Sequence, residues 1–231
     1  MALVTGAAGG IGSAVCAHLE RDGAFPVGLD LEPAERPAAG TVLRGDVGEE
    51  QDVERAIDEI EQRHGRLDIV VHCAALPQGE VVWKLAAAEW DRILRVNLRG
   101  AFLLAHHAIP LMRRGGTGGR IVLVGSVSGS AGRFGQSAYA ASKAGLIGFA
   151  KSIAREIARF GILVNVVEPG LTRTAMSAAL PEKVRAAAVA GTLTGRMAEP
   201  SDIASMIAYL CGPGGRQITG QVLRIDGGEY L

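Results

Sequence analysis

Tyr139 and Lys143 stand four residues apart in SAYAASKAG, residues 137–145, so on a helix they share one face. A phenol with an unperturbed pKa of about 10 is a poor base at neutral pH. A neighbouring ammonium favours the phenolate, because opposite charge lowers the pKa of an acid. Ser126 closes the apolar run RIVLVGS, and its hydroxyl could hold a substrate oxygen while the tyrosine exchanges a proton with that oxygen. Alone, each is an ordinary helix or strand-end side chain. Together they suit the proton half of a hydride transfer, which a dinucleotide would complete. The small residues at 140–142 would let both molecules come close to the helix.

A place for that dinucleotide is written near the start. LVTGAAGGIG (3–12) reads as strand, glycine turn and helix, the arrangement in which free N–H groups at a helix N-terminus receive a diphosphate. Gly6, Gly10 and Gly12 give G-x-x-x-G-x-G, which is neither G-x-G-x-x-G nor a P-loop. Taken by itself the turn is weaker evidence, since a tight βα connection also uses glycines. The next strand ends in Asp30, 18 residues past Gly12, where a carboxylate can hydrogen-bond a ribose 2′-hydroxyl and repel a 2′-phosphate. Leu31, not arginine, follows it, so NAD(H) is expected over NADP(H), which stays open. Read alone, Asp30 is also a common strand-end turn residue. Asp46 and Val47 end the third strand, where they could hold an adenine; GDVGEEQD suits an N-capping turn just as well.

Short apolar runs at 2–5, 25–30, 41–46, 67–73, 120–126, 162–168 and 221–226 alternate with helical patterns, as in a parallel sheet buried on both faces. Ile11, Val15 and Leu19, then Val53, Ile57 and Ile60, repeat at helical spacing. Two long helices are expected at 89–113 and 139–160, with Pro110 ending or kinking the first, and another at 200–210. RRGGTGGR (113–120) reads as a surface turn. There is no internal repeat, and residues 1–231 are expected to form one α/β domain.

The bulk properties exclude several classes. With 231 residues, 48% of them apolar, a sizeable core is available. The 24 basic and 24 acidic residues cancel, leaving no electrostatic footprint for nucleic acid or an anionic membrane. No signal peptide and no apolar run of about 18 residues is apparent, so a cytoplasmic location is expected. Cys16, Cys73 and Cys211 are far apart and read as buried free thiols. No metal site is expected: His106 and His107 are helix neighbours, which do not share a face. GSVSG (125–129) is no nucleophile elbow, because Val127 holds the serine's place. Trp83 and Trp90 are expected to pack.

Over essentially its whole length the chain resembles a short-chain dehydrogenase/reductase of the main cytosolic type. TGAAGGIG matches that family's T-G-x-x-x-G-x-G turn, YAASK its Y-x-x-x-K, and Ser126 its serine thirteen positions before the tyrosine. VNLRG (96–100) supplies the helix asparagine, Asn97, EPGLTRT (168–174) resembles the P-G segment, and QITGQVLRIDGG (217–228) the last strand.

The resemblance implies a doubly wound, seven-stranded parallel sheet in the order 3-2-1-4-5-6-7. Tyr139 would be the acid/base, and Lys143 would lower its pKa and hold the nicotinamide ribose. Ser126 would orient the substrate oxygen, and Asn97 would anchor a water that relays protons. The cofactor would lie against Gly6, Ala8, Gly9, Gly10, Ile11, Gly12, Asp30, Asp46 and Val47. Its nicotinamide half would meet Cys73, Ala74, Ala75, Pro169, Gly170, Thr172 and Thr174. HCAA (72–75) departs from the family's N-N-A-G, with Ala75 in place of glycine, and the short stretch from Pro169 to Ser201 suggests an open pocket. Leu76, Ser128, Phe134, Gln136 and Met176 are candidate substrate contacts from their loop positions.

The resemblance points to a small-molecule alcohol or ketone and to a homotetramer or homodimer pairing the two long helices through AFLLA and GLIGFA. The runner-up is a 3-oxoacyl-carrier-protein reductase, for which 139–168 is a strong match. Those enzymes usually prefer NADPH, against which Asp30 argues. They also dock an acidic carrier through arginines: Arg159 could serve, but Phe160 stands where arginine is common. A catalytically silent NAD-binding sensor or scaffold is the third reading.

Overall fold

The computed structural model of the protein describes residues 1–32 and 41–230. Seven parallel strands form one sheet: β1 (Ala2–Thr5), β2 (Pro26–Asp30), β3 (Thr41–Arg44), β4 (Ile69–His72), β5 (Gly119–Val124), β6 (Ile162–Pro169) and β7 (Val222–Ile225). Their order is β3-β2-β1-β4-β5-β6-β7. This is the doubly wound α/β architecture expected, with each strand within two residues of its predicted ends.

Strand alternation explains the two-sided burial. Side chains point to opposite faces at every step, so Leu3, Ile121, Leu123, Val164 and Val166 enter one core and Ala2, Val4, Val122, Val124 and Val167 the other. The first core is closed by α2 (Glu50–His64), α4 (Gly100–Gly115) and α6 (Ser137–Ile157), the second by α1 (Gly10–Arg21) and α9 (Pro200–Cys211). β1 pairs with both β2 and β4, so the winding reverses beside it and a crevice opens at the carboxyl ends of β1 and β4.

Several expectations need correction. The helix predicted over 89–113 is α3 (Ala87–Leu94), a π-helical turn (Arg95–Arg99) and then α4. Pro110 does not end it: α4 runs on to Gly115. The proline lies on the exposed side and removes one N–H, while Leu103, Leu104, Ala108, Leu111 and Met112 stay buried on the sheet and hold the rod together. Trp83 is 75% exposed, so it does not pack as expected, whereas Trp90 is half-buried. The helix expected at 139–160 is α6 followed by a 3-10 turn, Ala158–Phe160. Three shorter helices had no clear signal: α5 (Val127–Ala131), α7 (Ala175–Ala178) and α8 (Glu182–Ala190). Among the described residues no helix is long and apolar enough to cross a membrane.

Candidate active site

A cavity of about 770 Å³ occupies the crevice. Its near wall is the glycine turn: Gly6, Ala8, Gly9, Gly10, Ile11 and Gly12 all face it, as do Asp30, Asp46 and Val47 farther along the edge. Cys73, Ala74 and Ala75 form its floor, and Pro169, Gly170, Thr172 and Thr174 its far side.

The turn is built to bring backbone, not side chains, to the cavity. Gly6 has φ +66°, and a Cβ on it would fall 2.7 Å from Ala74 N. At Gly12 a Cβ would fall 2.1 Å from Gly6 O. Asp30 accepts the N–H groups of Ala8 (2.9 Å) and Leu31 (2.8 Å), tying the turn to the end of β2. Glu32 lies beside Asp30 on the cavity wall, a second carboxylate that disfavours a phosphate there. Asp46 spends its carboxylate on Gly48 N–H and on Arg95. A glycine-lined cradle at a helix N-terminus, with a carboxylate at the end of the neighbouring strand, fits a nicotinamide dinucleotide.

Ser126, Tyr139 and Lys143 line the same cavity. Ser126 N-caps α5, its oxygen accepting Ser128 N–H at 3.1 Å. Lys143 is 1% exposed, and its ammonium donates to Val124 O at 2.7 Å. Burial pulls its pKa down to about 8. The ammonium lies 5.6 Å from the centre of the Tyr139 ring. Burial raises the Tyr139 phenol above its usual value, while a hydrogen bond with Ser126 and the charge of Arg133 act to lower it. The lowering by Lys143 expected from sequence is therefore not the dominant effect in the protein alone.

Asn97 does not reach the cavity. It is fully buried in the π-helical turn, accepting Leu76 N–H (2.7 Å) and donating to Leu76 O and Ser142 Oγ (both 3.1 Å). Of the substrate candidates, Leu76, Ser128, Gln136 and Met176 line the cavity, and Ser128 donates to Gln136 Oε1 at 2.8 Å. Phe134 does not: its ring is 86% exposed, because Gly132 and Gly135 at positive φ turn the loop outward around it.

Three contributors went unread in the sequence. Gln78 is buried, and its Oε1 accepts the N–H groups of Ala138 (2.6 Å) and Tyr139 (3.1 Å), capping the catalytic helix α6 from outside. His72 is fully buried between Thr5 Oγ1, 2.9 Å from its Nδ1, and Asn97 O, 3.2 Å from its Nε2. A carbonyl only accepts, so Nε2 carries the proton and Nδ1 accepts from Thr5, whose oxygen takes Ala74 N–H at 3.3 Å. Burial and then the charge of Lys143 hold this imidazole neutral, with a pKa of about 3. Arg133 also lines the cavity and is paired with Glu229.

This is the architecture of a dinucleotide-dependent α/β oxidoreductase. A family model described as enoyl-(acyl carrier protein) reductase matches residues 6–229. The chain is 36% identical to an acetoacetyl-CoA reductase of Allochromatium vinosum, covering 100% of this chain and 98% of the relative. It is 34% identical to a (3R)-3-hydroxyacyl-CoA dehydrogenase of Canis lupus familiaris, covering 100% and 96%. To a 3-oxoacyl-[acyl-carrier-protein] reductase of Vibrio cholerae it is 37% identical over 100% and 97%. The chain belongs to the short-chain dehydrogenase/reductase family, whose members are oxidoreductases using a nicotinamide cofactor.

Proposed function

We propose that this protein is an NAD(H)-dependent oxidoreductase that interconverts a secondary alcohol and a ketone on a small or cyclic substrate. The observation that carries this reading is the meeting, in one cavity, of Ser126, Tyr139 and Lys143 with a glycine cradle that ends at Asp30 and Glu32. Two carboxylates at the ribose end favour a 2′-hydroxyl over a 2′-phosphate.

When bound, the nicotinamide supplies or takes up the hydride. Ser126 donates a hydrogen bond to the substrate oxygen and keeps it beside the phenol. Tyr139 gives that oxygen a proton on reduction and takes it back on oxidation. Lys143 holds the ribose and stabilises the phenolate, the direction in which a nearby cation moves an acid. Asn97 acts from outside the cavity as a positioning residue, fixing Leu76 and, through Ser142, the helix that carries Tyr139 and Lys143. Gln78 holds the helix end that carries Tyr139.

A second reading is supported by the named relatives: a 3-oxoacyl-carrier-protein reductase, with an acyl carrier protein as partner and NADP(H) accepted. Arg113 and Arg159 both stack on the Phe160 ring, at 4.1 and 4.7 Å, and offer basic charge near the end of α6. The chain would work as a homotetramer or homodimer through α4 and α6, where Phe102 is exposed and Phe149 half-buried.

Ketones, cyclic alcohols and acyl thioesters screened with NADH, NAD, NADPH and NADP, read at the nicotinamide absorbance, separate the readings. Turnover with NAD(H) on ketones or cyclic alcohols is expected; turnover of acyl thioesters with NADPH alone favours the second reading, and NADH binding without any turnover a silent protein. Tyr139→Phe should lower kcat by roughly 10²–10⁴, the usual worth of a positioned acid/base, with NADH affinity nearly intact. Unchanged turnover removes the phenol from the mechanism.

A further inference from the structure

Far along α4 from the reacting groups, the first turn of α2 meets two adjacent imidazoles. The sequence pattern gives His106 and His107 no common face. Yet their rings touch edge to face, with centroids 4.9 Å apart. A ring nitrogen of each and a carboxylate oxygen of Glu50 all lie within 4.8 Å of one another. His107 Nε2 is 3.6 Å from Glu50 Oε1, too far for a hydrogen bond, and it is buried with no other partner. A buried polar atom left unpartnered costs free energy unless something fills the gap.

We propose that Glu50, His106 and His107 form a binding site for a divalent transition-metal ion of the zinc or nickel type, stapling α2 to α4. The donor set is two imidazoles and one carboxylate, which suits zinc, with a fourth position left open. At zinc–ligand distances of about 2.0–2.2 Å, tetrahedral ligand atoms stand roughly 3.4 Å apart. The 3.6 Å pair already matches that spacing. Glu50 and His106 are both exposed, so the remaining separations would be closed by turning these two side chains rather than the part-buried His107. Glu50 also lies 3.8 Å from Arg99, a loose pair that an ion would replace. The thiols do not compete: burial pushes Cys16 up to about 11 and Cys211 up to about 12, and raises Cys73 further. The His106 ring also contacts Phe102, at 5.6 Å between centroids, so the ion would sit beside that exposed ring of α4.

The test is titration of the chelator-treated full-length chain, without a polyhistidine tag, with Zn²⁺ by calorimetry and with Co²⁺ by visible absorption. One ion per chain and an intense tetrahedral cobalt spectrum are expected. His107→Ala and Glu50→Gln should each weaken binding at least tenfold, since even removing an outer-shell partner costs about 10–100-fold. NADH affinity should stay unchanged, which reports intact folding. Should His107→Ala fail to fold, Glu50→Gln on the exposed side gives the same reading. No saturable binding, or full affinity retained in Glu50→Gln, overturns the site.

Discussion

The two sides of the cleft are built on opposite principles. On the glycine-turn side, backbone packs on backbone: Gly6 stands against Ala74, Gly12 against Gly6 O, and Asp30 bonds the turn itself. On the other side, residues 171–199 form a cover with little beneath it. α8 buries none of its residues, and Leu193 is 75% exposed. The cover is held by a few polar ties: Thr172 bridges to Ala198, Thr174 and Ser177 cap α7 reciprocally, and Arg185 donates to Ala178 O and Leu180 O. Few buried apolar contacts mean a low cost of local opening. The lesson is a division of labour: the glycine turn is fixed by close backbone packing, while the cover opposite it is held by a few polar ties and can open at lower cost.

The largest effect that would break this contrast comes from one methyl group. Gly12→Ala puts a Cβ 2.1 Å from a backbone oxygen, so the turn must open. Dinucleotide affinity should fall roughly a hundredfold, the loss that about 3 kcal/mol of overpacking strain in the cradle brings. Affinity within a few fold of the parent, measured by fluorescence titration, would show that the cradle is not rigid.

His72 tests the same rigid side through pH. Its folded pKa of about 3 lies below the ordinary histidine value of 6.5, so the unfolded chain binds the proton more tightly. Stability is therefore full above pH 6.5 and is lost as pH falls from there toward 3. The slope is about 1.4 kcal/mol per pH unit for one proton. Asp52, Asp68 and Asp202, held below the usual carboxylate range by their partners, add their own loss only at lower pH. Between pH 6 and 4.5, His72→Asn should flatten the dependence of Tm on pH. An unchanged slope would mean that the imidazole is not the buried base it looks to be.

The smallest effect belongs to the cover. Met176 is 44% exposed on α7. Met176→Ala should change kcat/KM by less than about tenfold, less than one fully enclosed methylene is worth, because a side chain this exposed encloses little of a substrate, with NADH affinity unmoved. A loss comparable to that of Gly12→Ala would erase the distinction between the two sides.

What the sequence made legible follows the same division. The glycine turn, Asp30 and the Ser126, Tyr139, Lys143 set are encoded by residue type at short spacing, because each answers a local demand of backbone or chemistry. Gln78 was not legible: its role appears only when the fold sets it against Ala138, 60 residues on. His72 likewise takes its meaning from Thr5, 67 residues earlier. Phe134 was chosen for its place in a loop, yet glycines on either side send it to solvent while Gln136, two residues later, faces the cavity. The short helices α7 and α8 lack an apolar stripe, so periodicity had nothing to report. Pro110 was read by its intrinsic habit, which packing of the opposite face overrode.

Gln78 carries one more implication. A single amide joins the passage leaving β4 to the first peptide groups of α6, including that of Tyr139 itself. Anything that tugs on this passage, an arriving guest included, is mechanically wired to the aim of the phenol. If Tyr139 is the proton donor proposed above, displacing this passage would also displace the helix end that carries the donor.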